Sequence, residues 1–105
     1  MAHTIETATV NPVTGKTRAQ QLARLNEWKK HFLAEGVDKV IIKEAGAGNL
    51  NAAWIFEIHH KSAASYGALV DKYYKNPKSH DELMAKWQKT PTLEFTSFGL
   101  FFEIE

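Results

Sequence analysis

The chain has 105 residues, a size typical of one domain with a small hydrophobic core. Its 13 basic and 12 acidic residues leave a net charge of +1, which lacks the clustered basic excess that nucleic acids and anionic membranes attract. Because the sequence contains no cysteine, disulfides, thiol nucleophiles and thiolate metal sites are excluded.

No segment has the composition of a signal peptide or of a membrane span. The N-terminal residues MAHTIETATV lack the apolar core of a signal sequence. No apolar run approaches the ~20 residues that a membrane-spanning helix needs. We therefore expect a single cytosolic domain over residues 1–105, with neither nucleic acid nor membrane as a partner.

The first predicted elements are a strand and a long helix. Residues 4–10 alternate weakly between apolar residues and threonines, which favours a strand that ends at the proline and glycine of 11–15. A helix is predicted from Lys16 or Thr17 to Gly36, since glycine is a common C-terminal stop. Its apolar side chains recur at helical spacing and form one stripe of Leu22, Leu25, Trp28, Phe32 and Leu33.

Two further strands, over 37–44 and 53–60, are predicted to form an antiparallel hairpin around the glycine- and asparagine-rich turn of 45–51. In the second of these strands the even residues Trp54, Phe56 and Ile58 are apolar, so this face is assigned to the core. The odd face carries Glu57 and His59, and we expect it to face water or a partly wet cavity.

The second half of the chain predicts two helices and a last strand. Ser62 occupies an N-cap position for a helix to about Tyr74, whose buried stripe is Tyr66, Leu69, Val70 and Tyr73. After Asn76-Pro77, Ser79 and Glu82 have the spacing of a capping box that opens a short helix through Leu83, Met84 and Trp87. Leu93–Ile104 predicts the final strand, and Gly99 within it suggests a bulge or a close backbone approach.

The resulting order of strand, helix, strand, strand, helix, strand predicts an α+β, ferredoxin-like βαββαβ fold. One four-stranded antiparallel sheet would then have its helices on one face and leave the other face bare. A large exposed apolar patch usually marks an interface, so we expect a homodimer. The bare face is predicted to carry Ile41, Ile55, Phe95 and Phe101, together with Lys39, Lys43, Glu57, His59 and Ser97.

The chain resembles the dimeric α+β barrel superfamily, which includes antibiotic-biosynthesis monooxygenases, stress-responsive barrel proteins and NIPSNAP-like proteins. The resemblance rests on the element order and on the run IFEIHHKSAASYGAL at 55–69, a strand ending near an acidic residue and followed by serine and a small-residue helix start. It implies sheet-to-sheet dimers with a pocket in the barrel or between sheet and helices. Where the monooxygenase branch commonly has tryptophan, this chain has His59.

Glu57 and His59 are the predicted catalytic residues. They lie two apart on one strand face, so their Cβ atoms are about 7 Å apart. His59 would be a general base, because its pKa lies near working pH, and Glu57 would orient it or the substrate. In the alternative interpretation, Glu57 pairs with Lys39 or Lys43 on the neighbouring strand and His59 is a partly buried polar residue.

The predicted function is the binding or conversion of a small, partly apolar organic molecule by a homodimer. The resemblance implies an enzyme similar to a cofactor-independent monooxygenase, or to a cyclase or isomerase. The alternative is a non-catalytic binding or assembly domain whose pocket is filled by its own aromatic side chains. We expect no cofactor and no metal, since His59 and His60 point to opposite faces of a strand. The predicted ligand-binding residues are Ile41, Lys43, Ile55, Tyr74, Trp87, Phe95, Ser97 and Phe101.

Overall fold

The computed structural model describes residues 3–45 and 53–104, and its elements follow the predicted order. The glycine-rich part of the predicted turn, at 46–51, lies outside the described residues. No helix in the described ranges is long and apolar enough to cross a membrane. The elements are β1 Thr4–Pro12, α1 Arg18–Ala34, β2 Lys39–Glu44, β3 Trp54–His60, α2 Ala63–Lys75, α3 Lys78–Lys89 and β4 Leu93–Phe102.

The four strands form one antiparallel sheet in the order β2-β3-β1-β4, which is the ferredoxin-like arrangement. The helices cover one side, here called the helix face, and the other side is called the open face. The predicted fold class is thus confirmed. On the helix face the buried core consists of Ala8, Val10, Val40, Trp54, Phe56, Ile58 and Leu93 from the sheet, with Leu25, Trp28 and Trp87 from the helices.

The strand register sets which side chains share the open face. Ile5 of β1 pairs with His59 of β3 on one side and with Phe101 of β4 on the other. Ile41 opposes Glu57 across the β2–β3 pair. Because side chains alternate along a strand, the residues of these rows project together from the open face.

Phe95 lies on the helix face, so its predicted position on the bare face is wrong. A register shift lets Thr9 pair with Ser97 while Val10 pairs with Phe95, which leaves Thr96 as the extra residue of a β-bulge. The hydroxyl of Thr96 donates to the carbonyl oxygen of Thr9 at 3.0 Å. One inserted residue reverses the alternation, and the ring of Phe95 stacks on Trp87 at a centroid distance of 5.2 Å.

Neither the bulge nor the close backbone approach predicted at Gly99 is found there; instead, a side chain comes close. A Cβ atom at Gly99 would lie 2.6 Å from the ring of Phe101 two residues later. The ring of Phe101 therefore folds back over β4 in the space that glycine leaves free. The bulge itself lies three positions earlier, at Thr96.

The helix starts follow local capping rules in two of three cases. Thr17 and Gln20 form a capping box at α1, and Ser62 caps α2 by accepting from the Ser65 amide at 3.1 Å. The capping box predicted for α3 is wrong, because α3 begins at Lys78, directly after Pro77, and has no side-chain cap. Proline lacks an amide hydrogen and has a helix-compatible φ, so it can start a helix without one.

The helices pack unevenly on the sheet. In α1, Leu25 and Trp28 are buried as predicted, whereas Leu33 is 43% exposed and falls outside the stripe. In α2 no residue is buried, so the predicted stripe of Tyr66, Leu69, Val70 and Tyr73 is only half-buried. Unfilled space therefore lies along α2.

Candidate functional site

A continuous chain of polar side chains crosses the open face. Nε2 of His3, just before β1, lies 2.9 Å from Nδ1 of His59. Nε2 of His59 lies 2.9 Å from Oε1 of Glu57, and the second carboxylate oxygen accepts from Nζ of Lys43 at 2.9 Å. We call these four residues the histidine relay.

The two central residues of the relay, His59 and Glu57, are largely shielded from water, whereas the Lys43 side chain is 54% exposed. His59 is 7% exposed, and the Glu57 side chain is 15% exposed. Partial burial alone would raise the pKa of Glu57, but the hydrogen bonds from Lys43 and His59 and the charge of Lys43 outweigh it. The pKa of Glu57 is therefore lowered. Glu57 is held as a carboxylate at neutral pH.

The relay contains both arrangements considered for Glu57 and His59. The predicted pair is in hydrogen-bond contact, and the cross-strand cation is Lys43 rather than Lys39. Both ring nitrogens of His59 have a partner within the chain. His60 points to the opposite, helix face, as predicted, where its Nε2 lies 2.7 Å from Oε2 of Glu6.

The predicted ligand-binding residues fall on two different sides of the sheet. Those on the open face are Ile41, Lys43, Ile55, Ser97 and Phe101, and those on the helix side are Tyr74, Trp87 and Phe95. The sheet itself separates the two groups, so they cannot line one pocket of a single chain.

A cavity of about 210 Å³ lies between the helix face and helices α1 and α3. It is lined mostly by carbon atoms, and we call it the apolar chamber. Among the described residues, Nε1 of the buried Trp28 and Nδ1 of His80 have no hydrogen-bond partner and almost no accessible surface, and the nearest carboxylate oxygen, on Asp81, is 3.7 Å from Nδ1. Lining side chains include Phe56, Ile58, Met84, Trp87 and Phe98.

A second cavity of about 200 Å³ lies beside the first, under α2, and we call it the polar chamber. Both chambers are bordered by Glu6, Phe32 and His80. The tyrosines Tyr66, Tyr73 and Tyr74 line its α2 side.

Two side chains of the polar chamber have altered acidity. The phenol of Tyr73 donates to Oδ1 of Asp81 at 3.0 Å, and this bond to a carboxylate raises the pKa of Tyr73. Burial lowers the pKa of His31. The charge of Glu35 acts in the opposite direction and the nearby His80 in the same direction, and the net effect is a lowered pKa. His31 is therefore biased toward its neutral form.

Sequence reasoning did not single out Glu6, Trp28 or His80 as site residues. Glu6 does carry a signal, because a carboxylate between Thr4 and Ala8 breaks an otherwise small or apolar strand face that packs under helices. Trp28 is indistinguishable from a core residue at helical spacing. Among the described residues, no group of three histidine, aspartate or glutamate side chains is placed to hold a metal ion.

Comparison with known proteins gives the fold. No family model and no curated protein matches this chain. A solved structure described as a dimeric ferredoxin-like protein from an uncultured marine organism superimposes with a TM-score of 0.59. The alignment covers 100% of this chain and 98% of that one at 16% sequence identity. The chain has a ferredoxin-like fold. At this identity the likeness extends to the fold alone, so assembly and ligands have to be argued from the residues.

Proposed function

We propose that the protein is a homodimer of the dimeric α+β barrel type and that it binds a small, partly apolar organic molecule in the apolar chamber. The observation that carries the binding proposal is the chamber itself, with apolar walls and two unpartnered ring nitrogens, on Trp28 and His80. Apolar walls with a few convergent polar groups are the usual character of small-molecule sites.

The dimer proposal rests on the open face. Ile5, Ile41 and Ile55 are only half-buried there, and Phe101 is 57% exposed. A second copy placed sheet to sheet would remove this apolar surface from water, which favours association. The similar marine protein is described as dimeric, which agrees with this arrangement.

The unpartnered nitrogens narrow the ligand class. An indole N–H buried without an acceptor carries a desolvation cost of about 1–3 kcal/mol, which a ligand acceptor can relieve. Each chamber alone is smaller than the ~300 Å³ at the lower end of common ligand sites. We therefore expect a small ligand with an apolar body and at least one oxygen or nitrogen acceptor, which enters one chamber or extends through both.

A second candidate function is acid–base catalysis at the histidine relay, with His59 as the acid–base group. The observation in its favour is that Glu57 orients His59 through a 2.9 Å contact, the usual role of a carboxylate beside a catalytic histidine. In a sheet-to-sheet dimer the relay would face the barrel interior. His3 would then have to leave Nδ1 of His59 to free that nitrogen for a substrate.

Ligand-detected NMR with a panel of small aromatic acids, alcohols, ketones and amines tests both candidates. Met84→Trp fills the apolar chamber from α3, and His59→Ala removes the centre of the relay. We expect Met84→Trp to abolish binding of the panel members that the wild-type chain holds, and His59→Ala to retain it. The opposite pattern would favour the relay. If the wild-type chain binds no member of the panel, the result favours the assembly interpretation, in which aromatic side chains fill the pocket.

A further inference from the structure

The two chambers meet at a carboxylate. Glu6 borders both the apolar and the polar chamber, together with Phe32 and His80. A ligand that extends from one chamber into the other therefore has to pass the Glu6 side chain. A polar group of that ligand at the junction would lie near this carboxylate.

Glu6 retains hydrogen-bonding capacity at this junction. Oε2 lies 2.7 Å from Nε2 of His60, whose side chain is 1% exposed. Among the described residues, Oε1 of Glu6 has no hydrogen-bond partner, although the side chain is only 14% exposed. A carboxylate that is mostly removed from water and has one free oxygen favours a strong donor, and a cationic donor forms the strongest bond.

The walls around Glu6 also suit a cation. Phe32, Tyr66 and Tyr73 place aromatic rings along the polar chamber, and ring faces attract organic ammonium groups by cation–π interaction. The described lining of both chambers contains no lysine or arginine that would compete for the carboxylate. The second carboxylate of the polar chamber, Glu35, is engaged by Lys72 at 3.2 Å.

A second observation indicates what the rest of the ligand carries. Trp28 is 7% exposed, it lines the apolar chamber, and its Nε1 has no acceptor. An indole N–H can only donate, so it cannot itself bind the ammonium group. It would pair with an acceptor on the apolar body of the ligand once a side-chain shift exposes Nε1, which has almost no accessible surface.

We infer that the ligand of the two chambers is a small organic amine in its ammonium form, with an aryl or alkyl body that carries an acceptor. The ammonium group binds Oε1 of Glu6 among the aromatic rings of the polar chamber, and the body occupies the apolar chamber near Trp28. This inference rests on the proposed function, because it specifies the ligand class of the same site.

Isothermal titration with three probes of one shape that differ in their polar end group tests the ammonium part of the inference: 2-phenylethylamine, 2-phenylethanol and 3-phenylpropanoate. We expect the wild-type chain to bind the amine about tenfold or more tightly than the alcohol, because a charge-assisted hydrogen bond replaces a neutral one. The acid should bind most weakly. Glu6→Gln, which keeps the shape and removes the charge, should reduce the amine's advantage over the alcohol to less than about threefold. Glu94→Gln, the same change at an exposed position of β4, should leave it intact.

Each outcome decides between the two proposals. If the alcohol or the acid binds as tightly as the amine, or if Glu6→Gln keeps the preference, the ammonium inference fails while ligand binding stands. If the wild-type chain binds none of the three probes, the ammonium inference fails. The aromatic panel used above then decides by itself whether ligand binding stands. Circular dichroism checks whether Glu6→Gln folds. If it does not, the affinities of the wild-type chain for the three probes still test the ammonium inference.

Discussion

Filling the apolar chamber from the sheet side should stabilise the protein. Ala8 is 7% exposed on the helix face, lines the chamber, and lies between Phe56 of β3 and Phe98 of β4. Ala8→Leu adds three carbon atoms, and at about 0.8 kcal/mol per buried carbon the gain reaches about 2 kcal/mol. If the space were already filled, overpacking would instead cost about 1–3 kcal/mol. The sign of the change therefore reports whether the chamber is empty.

Thermal and urea unfolding measure this sign. For a domain of about 100 residues, 2 kcal/mol corresponds to a rise in Tm of roughly 8 °C or more. Ala23→Leu, the same change at an exposed position of α1, should shift the free energy of unfolding by less than about 0.5 kcal/mol. The Ala8→Leu chain should also lose binding of probes held by the wild type. A lowered Tm with unchanged binding would refute both the void and its proposed role. A raised Tm with unchanged binding would place the ligand elsewhere.

Three further changes test the interface, the core and a titrating group. Phe101→Glu should convert the proposed dimer to monomers of about 11.9 kDa in sedimentation at micromolar concentration, because an unpaired carboxylate would replace apolar contact. Phe102→Glu, on the opposite face of β4, should leave the dimer intact, and loss of the dimer in both variants would move the interface to the β4 edge. Leu25→Ala should cost about 2–5 kcal/mol in urea unfolding through lost burial and a cavity, whereas Leu33→Ala, at a 43% exposed site, should cost under about 1 kcal/mol. Equal costs would mean that the packing of α1 differs from the one described. Burial lowers the pKa of His31, so the unfolded chain binds the extra proton first, and stability should fall as pH decreases below about 6.5. The decrease in the free energy of unfolding between pH 7.5 and 5.5 should be smaller in His31→Asn than in the wild-type chain. An identical decrease in both chains would rule out a contribution of His31 to the pH dependence.

The sequence by itself determined the elements and their order. Alternation in 53–60 separates apolar even positions from mixed odd positions, and the period of 3.6 in α1 marks Leu25 and Trp28 as core. These are local patterns, and local geometry decides them. For the same reason the opposite faces of His59 and His60 and the cap at Ser62 could be predicted without a partner strand or helix.

The tertiary structure decided what depends on register and on packing between elements. The bulge at Thr96 is set by how β4 aligns with β1, and it alone moves Phe95 from the open face to the stack on Trp87. The junction at Glu6 joins β1, β3 and α1, which lie far apart in sequence, and no local spacing encodes it. The polar chamber lies where α2 buries none of its residues against the sheet, whereas the apolar chamber lies between the sheet and helices α1 and α3. An apolar stripe indicates which face of a helix turns inward. The distance between the helix and the sheet depends on every side chain that lies between them.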